Sequence, residues 1–243
     1  AKRPEALYGV IVDAKDNTVT LEAIMQHGDN ELPEFEKFLP SWVTYLGNKT
    51  GHDADRLILE AVDLFNDISL EVQYAEEYAD VHPGLYLNIL ENGKSVTADD
   101  MVSIGLKAMK RIPKKYIMRS RSALKTAEYV IAADGGLPLL EKCYFAACES
   151  DTSAQNYLRA LLNGYGKKRE ELQKLIELFP VYKNKGYLLD EGSFSGYGRS
   201  VYFEREENKP NNNMILALRF LDGQFADVLD KGLHKSEALG WTG

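Results

Sequence analysis

The sequence predicts an all-α chain built as an array of antiparallel helix pairs, and three observations carry that expectation. Apolar residues recur at helical spacing: Leu57, Ile58, Ala61, Val62 and Phe65 fall at i, i+1, i+4, i+5 and i+8, and Leu172, Leu175, Ile176 and Phe179 repeat the period much later. Prolines and glycines interrupt the pattern at the points where helices must end. No run approaches the roughly 18 apolar residues that a membrane span requires, so each apolar stripe has to be buried against a neighbouring helix. At 243 residues, 44% apolar and 27% charged, the chain can bury a substantial core as one large domain or two small ones.

The N-terminal stretch, residues 1–30, admits two readings. Residues 7–12 and 18–25 flank Asp16-Asn17 and fit either a β-hairpin or two short helices with Asn17 or Thr18 as an N-cap, and the helical character of everything downstream favours helices. Phe35, Phe38, Leu39, Trp42, Val43 and Leu46 then mark a stripe over three turns. Pro40 lies inside it and is expected to kink or split that helix, because it lacks a backbone donor. Asp53 is the expected cap of the helix that carries Leu57 to Phe65. A helix from about Leu70 to Ala79 presents Leu70, Tyr74, Ala75 and Tyr78 and ends before His82-Pro83. Leu85, Leu87, Ile89 and Leu90 form a short apolar segment closed by Asn92-Gly93.

Thr97-Ala98-Asp99-Asp100 resembles a capping box and opens a helix with Met101, Ile104, Ala108 and Ile112 on one side. Pro113 restarts the count. Tyr116, Ser120, Ala123, Leu124, Ala127 and Ile131 mark the next helix, which Asp134-Gly135-Gly136 stops; Leu139, Leu140, Cys143, Tyr144 and Ala147 form its antiparallel partner. Thr152-Ser153-Ala154-Gln155 is another capping-box start, with Thr152 as the cap, and leads to a helix through Tyr157, Leu158, Leu161 and Leu162. After a helix around Leu172 to Phe179, residues 183–213 change character: Gly186, Gly192, Gly196, Gly198, Pro210 and three asparagines make this the long non-helical stretch, where Tyr187-Leu188-Leu189 and Ser200-Val201-Tyr202-Phe203 fit a small hairpin. Helical pattern resumes from Met214 to Leu221 and from Phe225 to Leu229.

At residues 124–152 the spacing resembles a tetratricopeptide repeat. Leu124, Ala127, Glu128, Ile131, Leu140, Tyr144 and Ala147 occupy its first seven positions in register; Thr152 replaces the usual proline, and Glu128 stands where a small residue is favoured. His82-Pro83-Gly84-Leu85-Tyr86-Leu87 and residues 150–162 also resemble a group of uncharacterised bacterial helical-repeat proteins. The resemblance implies a right-handed α-α superhelix over residues 1–243 as a single helical-repeat domain, and it brings no known activity. The missing initiator Met and the ending Gly240-Trp241-Thr242-Gly243, with no polar capping helix, make the chain an expected piece of a longer protein.

The most unusual feature is a charge asymmetry. The whole chain carries −8, yet between Met101 and Ala127 there is no acidic residue, while Lys107, Lys110, Arg111, Lys114, Lys115, Arg119, Arg121 and Lys125 all lie there. Such crowding raises the local potential and suits an acidic protein surface or phosphate, with Tyr116 placed to stack on a base or fill a partner pocket. It equally suits a solvated turn whose cations favour the C-terminus of the preceding helix. Arg119 and Arg121 with Tyr116 are the expected contact residues, because such side chains dominate interface energetics.

Catalytic patterns fail on inspection. The glycine-rich run from Gly192 to Ser200 lacks the lysine of a phosphate-binding loop and the third glycine of a dinucleotide fingerprint, and Phe194 stands where a nucleophile elbow needs serine. His27, His52, His82 and His234 have no second metal ligand at helical or turn spacing, and His82 at a helix junction suits a structural hydrogen bond. Glu76-Glu77-Asp80 and Glu204-Glu206-Glu207 read as exposed faces, and the aromatic residues at helical spacing as packing. Cys143 and Cys148, five apart, fall on different helix faces and read as buried thiols in a reducing compartment. With an opening apolar run too short for a signal peptide, the expected compartment is the cytoplasm. The expected function is a non-enzymatic scaffold, without cofactor, that binds a protein or peptide on its concave face. Nucleic-acid binding through residues 107–125 and service as an accessory domain of a larger enzyme are the alternatives.

Overall fold

A computed structural model describes residues 2–13, 19–27, 34–93, 96–163, 170, 219–220 and 223–233. Among them the secondary structure is helical: α1 (Lys2–Asp13), α2 (Leu21–His27), α3 (Phe35–Gly47), α4 (His52–Asp63), α5 (Ile68–Tyr78), α6 (Gly84–Asn92), α7 (Ala98–Arg111), α8 (Ile117–Ala132), α9 (Leu137–Ser150), α10 (Ala154–Asn163) and α11 (Phe225–Leu233). The expected helix at 172–179, the long loop at 183–213, the glycine-rich run, His234 and the Glu204 cluster lie outside the described residues, as does the end of the chain.

Local chemistry explains most boundaries. Among the described residues of the N-terminal stretch, 2–13 and 21–27 are helical, and Thr20 caps α2, its Oγ1 accepting the Ala23 N–H at 3.0 Å, while Asn17 and Thr18 lie outside the described residues. Asp67 caps α5 by accepting from Ser69 and Leu70, and Thr97 caps α7 by accepting from Asp100, as the capping-box pattern predicts. Three expectations are corrected. Pro40 does not split its helix, for α3 runs unbroken through it. Asp53 sits inside the first turn of α4, where its charge favours the helix dipole, and Gly51 at φ 109° is the N-cap. Ser153, not Thr152, opens α10 by accepting from Asn156 at 3.3 Å; Thr152 is buried. The short apolar segment after His82-Pro83 is helix α6. Asp134, at φ 52°, makes the left-handed turn that stops α8, and the Gly135 N–H returns to Val130 O at 2.8 Å.

Helices pack antiparallel in chain order. From α3 to α10 each helix packs on the next, and α4 with α6, α5 with α7 and α6 with α8 touch across one intervening helix. Two apolar cores result. The larger one gathers Trp42, Leu57, Ile58, Leu85, Tyr86, Leu90 and Met101; the smaller gathers Val102, Met109, Ala123, Ala127, Val130, Cys143 and Ala147. Helix α7 belongs to both, giving Met101, Ile104 and Ala108, with Ile112 just beyond its end, to the first and Val102 and Met109 to the second. Its 14 residues bury two faces, which the one-sided stripe read from the sequence did not show.

Long-range hydrogen bonds gather at one sequence separation. Arg56 to Val19 and Glu22 to Glu60 span 37 and 38 residues, His82 to Leu46 and Asn156 to Ser120 span 36, Arg111 to Glu76 and Lys114 to Glu149 span 35, and Tyr129 to Leu90 spans 39. Other long-range bonds, Asn88 to Asp63, His82 to Asp55 and Arg119 to Ser150, span 25, 27 and 31.

Close approach of α7 and α8 depends on Gly105, where a Cβ would collide with Thr126. Thr126 is fully buried and its hydroxyl donates to Ser122 O at 2.6 Å, which fixes its rotamer. Gly105→Ala is expected to cost about 1–3 kcal/mol through overpacking, despite the better helix propensity of alanine; urea denaturation of the two proteins measures it. Gly105→Ala combined with Thr126→Ala, which removes both the hydroxyl and the methyl that the new Cβ would meet, is expected to recover part of the loss.

Candidate functional site

The basic segment runs from the last turns of α7 through the turn at 112–116 into α8. Ile112 is buried and anchors the turn, and Pro113 ends α7. That proline has a consequence. In an uninterrupted helix the Met109 carbonyl accepts from residue 113, and proline has no N–H to give. Arg119, two residues into α8, supplies the donor: its Nε donates to Met109 O at 2.8 Å. Its other nitrogens reach the end of α9, Nη1 donating to Ala146 O at 3.0 Å and Ser150 Oγ at 2.9 Å and Nη2 to Glu149 Oε2 at 3.1 Å. One guanidinium thus joins three helices, two of them at their C-terminal ends, where the helix dipole favours a cation.

This placement corrects the expectation that Arg119 is a contact residue. At 7% exposure it is an interior tie. Arg111 has a similar occupation, its Nε and Nη2 donating to Glu76 O at 3.1 and 2.7 Å in the last turn of α5, with Asp80 3.6 Å away. Lys114 pairs with Glu149, and Lys125 with Glu128 at 2.6 Å. Burial pushes the Arg121 guanidinium below its ordinary range, and the charges of Glu91 and Asp151 oppose that shift. The acidic partners that the segment lacks in sequence are brought to it by α5, α6 and α9. Lys107, Lys110, Lys114 and Lys115 remain exposed, and the Lys115 ammonium lies 4.8 Å from the centre of the half-buried Tyr116 ring.

Other polar groups cap helices in the same manner. Tyr129 of α8 donates to Leu90 O in α6 at 2.7 Å. Glu60 of α4 accepts the Glu22 N–H at 2.8 Å at the start of α2, while Arg56 Nη1 donates to Val19 O at 2.9 Å. His82 lies 3.1 Å from Leu46 O and 2.6 Å from Asp55 Oδ1, fully inside the larger core, and fills the structural role its junction suggested. The pairing of His82 with Asp55, 27 residues earlier, had no signal in the sequence.

Among the described residues no group of three His, Cys, Asp or Glu side chains lies where it could hold a metal ion, and no helix is long and apolar enough to cross a membrane. In the tetratricopeptide-like segment, Ala127, Ala147 and Thr152 are buried and Leu124, Leu140 and Tyr144 half-buried, whereas Ile131 is 61% exposed and Glu128 faces solvent. No protein family, curated protein or solved structure matches the chain.

Two predictions follow from the side chains at this joint. Replacing Arg119 by Met leaves the Met109 and Ala146 carbonyls without their side-chain donor, and is expected to lower the unfolding free energy by about 3–5 kcal/mol; Lys107→Met is expected to stay within about 0.5 kcal/mol. Urea titration of both variants distinguishes a tie from a surface charge. Cys143 and Cys148 are both buried, and burial pushes the Cys143 thiol up to about 11. Since the thiolate is the reactive form, a disulfide reagent at pH 8 should find no thiol in the folded chain and both after denaturation.

Proposed function

We propose that this chain is a non-enzymatic helical-repeat scaffold, a right-handed α-α superhelix that binds a protein or peptide partner on its concave face. The observation that supports the reading is the recurrence of side-by-side hydrogen bonds at separations of 35 to 39 residues, together with packing in chain order. A stack whose units each touch only near neighbours presents side chains at regular intervals, and such stacks bind extended partners along a face.

Recognition is by display. The exposed Lys107 and Lys110, one turn apart on α7, continue into Lys114 and Lys115 on the following turn, with Tyr116 beside them. Arg121 is half-buried on α8. Together they favour an acidic peptide. Nucleic acid draws less support, because a long polyanion meets the chain's net charge of −8, whereas a short peptide meets only the lysine row.

Fluorescence anisotropy against a labelled poly-glutamate peptide and against single- and double-stranded oligonucleotides, at several salt concentrations, tests this. Saturable binding of the acidic peptide, weakened at least tenfold by Lys107→Glu with Lys110→Glu, is the expected outcome. Preferential binding of oligonucleotides with a steep salt dependence would move the assignment to nucleic acid, and silence toward both at low salt would remove the lysine row from the site.

A further inference from the structure

The pair Asp55–His82 stands apart from every other polar contact in the larger core. Side-chain exposure is 7% for Asp55 and 1% for His82. The pair joins three pieces of chain: α4 through Asp55, the C-terminal end of α3 through Leu46 O, and the turn between α5 and α6 through His82 itself. Within the same turn His82 N–H donates to Tyr78 O at 2.7 Å and Leu85 N–H to His82 O at 3.2 Å, and Asp80 meets Arg111 and the Tyr116 hydroxyl on its outer side.

Geometry fixes how many protons the pair holds. A carbonyl oxygen can only accept, so His82 Nε2, facing Leu46 O, carries a hydrogen. Nδ1 and Asp55 Oδ1, 2.6 Å apart in the interior, need a second proton between them, whichever atom it is written on. Without it a carboxylate oxygen would face a ring lone pair with no water to separate them. The unfolded chain differs. Above the free imidazole range, about pH 6.5, its exposed carboxylate and neutral ring keep one proton between them.

We propose that Asp55 and His82 form a proton-dependent tie, which holds the α5–α6 turn against α3 and α4 only while the proton between Nδ1 and Oδ1 is retained. The folded tie then binds one proton more than the open chain above about pH 6.5, so it weakens as pH rises, by up to tenfold in its equilibrium constant per pH unit. Below about pH 4 the sign reverses, because the open chain protonates both groups. Burial raises the Asp55 carboxyl, against the lowering effect of the His82 hydrogen bond and charge, and proton uptake by the carboxyl on folding acts in the same direction.

The surrounding charges do not supply that proton. His52 on α4 acts on Asp55 from the same helix. Tyr8 of α1 feels Asp55, Asp53, Tyr45 and the Lys49 ammonium beyond the end of α3. Tyr78 of α5 lies one turn before His82 and faces Glu77 and Thr44. Asp55 Oδ2 is buried with no hydrogen-bond partner among the described residues.

The test compares the full chain with Asp55→Asn. The amide can donate to Nδ1 while the neutral ring donates Nε2–H to Leu46 O, giving the same two bonds without the extra proton. Between pH 6.5 and 8.5 the wild-type unfolding constant in urea is expected to rise by up to tenfold per pH unit relative to the variant; parallel curves would overturn the proposal. Native-state hydrogen exchange on the wild type supplies a second reading independent of that variant. Corrected for intrinsic rates, the opening constants of the His82 and Leu85 amides should rise with pH ahead of those in α8, and equal responses in both places would overturn it too.

Discussion

A carbonyl left without a backbone donor sets the geometry at the centre of this molecule. Pro113 ends α7 and strands the Met109 oxygen, and the Arg119 guanidinium that satisfies it also reaches Ala146, Glu149 and Ser150 at the end of α9. Helices α7, α8 and α9 therefore meet in one arrangement, because a planar fork of donors has few orientations that satisfy all its acceptors. The same device recurs along the chain. His82, Arg111 and Tyr129 each reach a carbonyl in the last turn of an earlier helix, at Leu46, Glu76 and Leu90. Apolar burial supplies the driving force for stacking, and these directional contacts choose the register.

That choice reshapes the charge of the surface. A segment of eight cations without an acid reads as strongly positive along the sequence, but folding brings Asp80, Glu149 and Glu128 to it. Arg119, whose fork suits internal capping, is drawn inward, while Lys107, Lys110, Lys114 and Lys115, each with a single strongly hydrated ammonium, stay at the surface. What is left to meet a partner is a short row on α7 and the turn after it, a smaller feature than the linear run.

Legibility of the fold followed the range of the physics involved. The stripe from Leu57 to Val62, the Thr97 capping box and the stop at Asp134-Gly135 depend on residues within a turn of one another, and they read directly from the sequence. The split that Pro40 offered as an alternative to a kink is absent for a tertiary reason, since Trp42, Val43 and Leu46 beyond it are fully buried and hold the helix together across the missing bond. The site was less legible. Whether Arg119 faces outward or inward depends on Glu149 and Ser150, about thirty residues away, and no local pattern encodes that encounter. Pro113 was the one available hint, because a stranded carbonyl needs a donor from somewhere.

Helix α7 gives one face to each core, and Gly105 lets α8 approach it closely. Unzipping the stack from either end would therefore halt at this helix: releasing α7 from one core still leaves its other face anchored. The fold has the character of two blocks sharing a keystone, in which the outer helices can fray separately but the loss of α7 is a loss of both blocks at once.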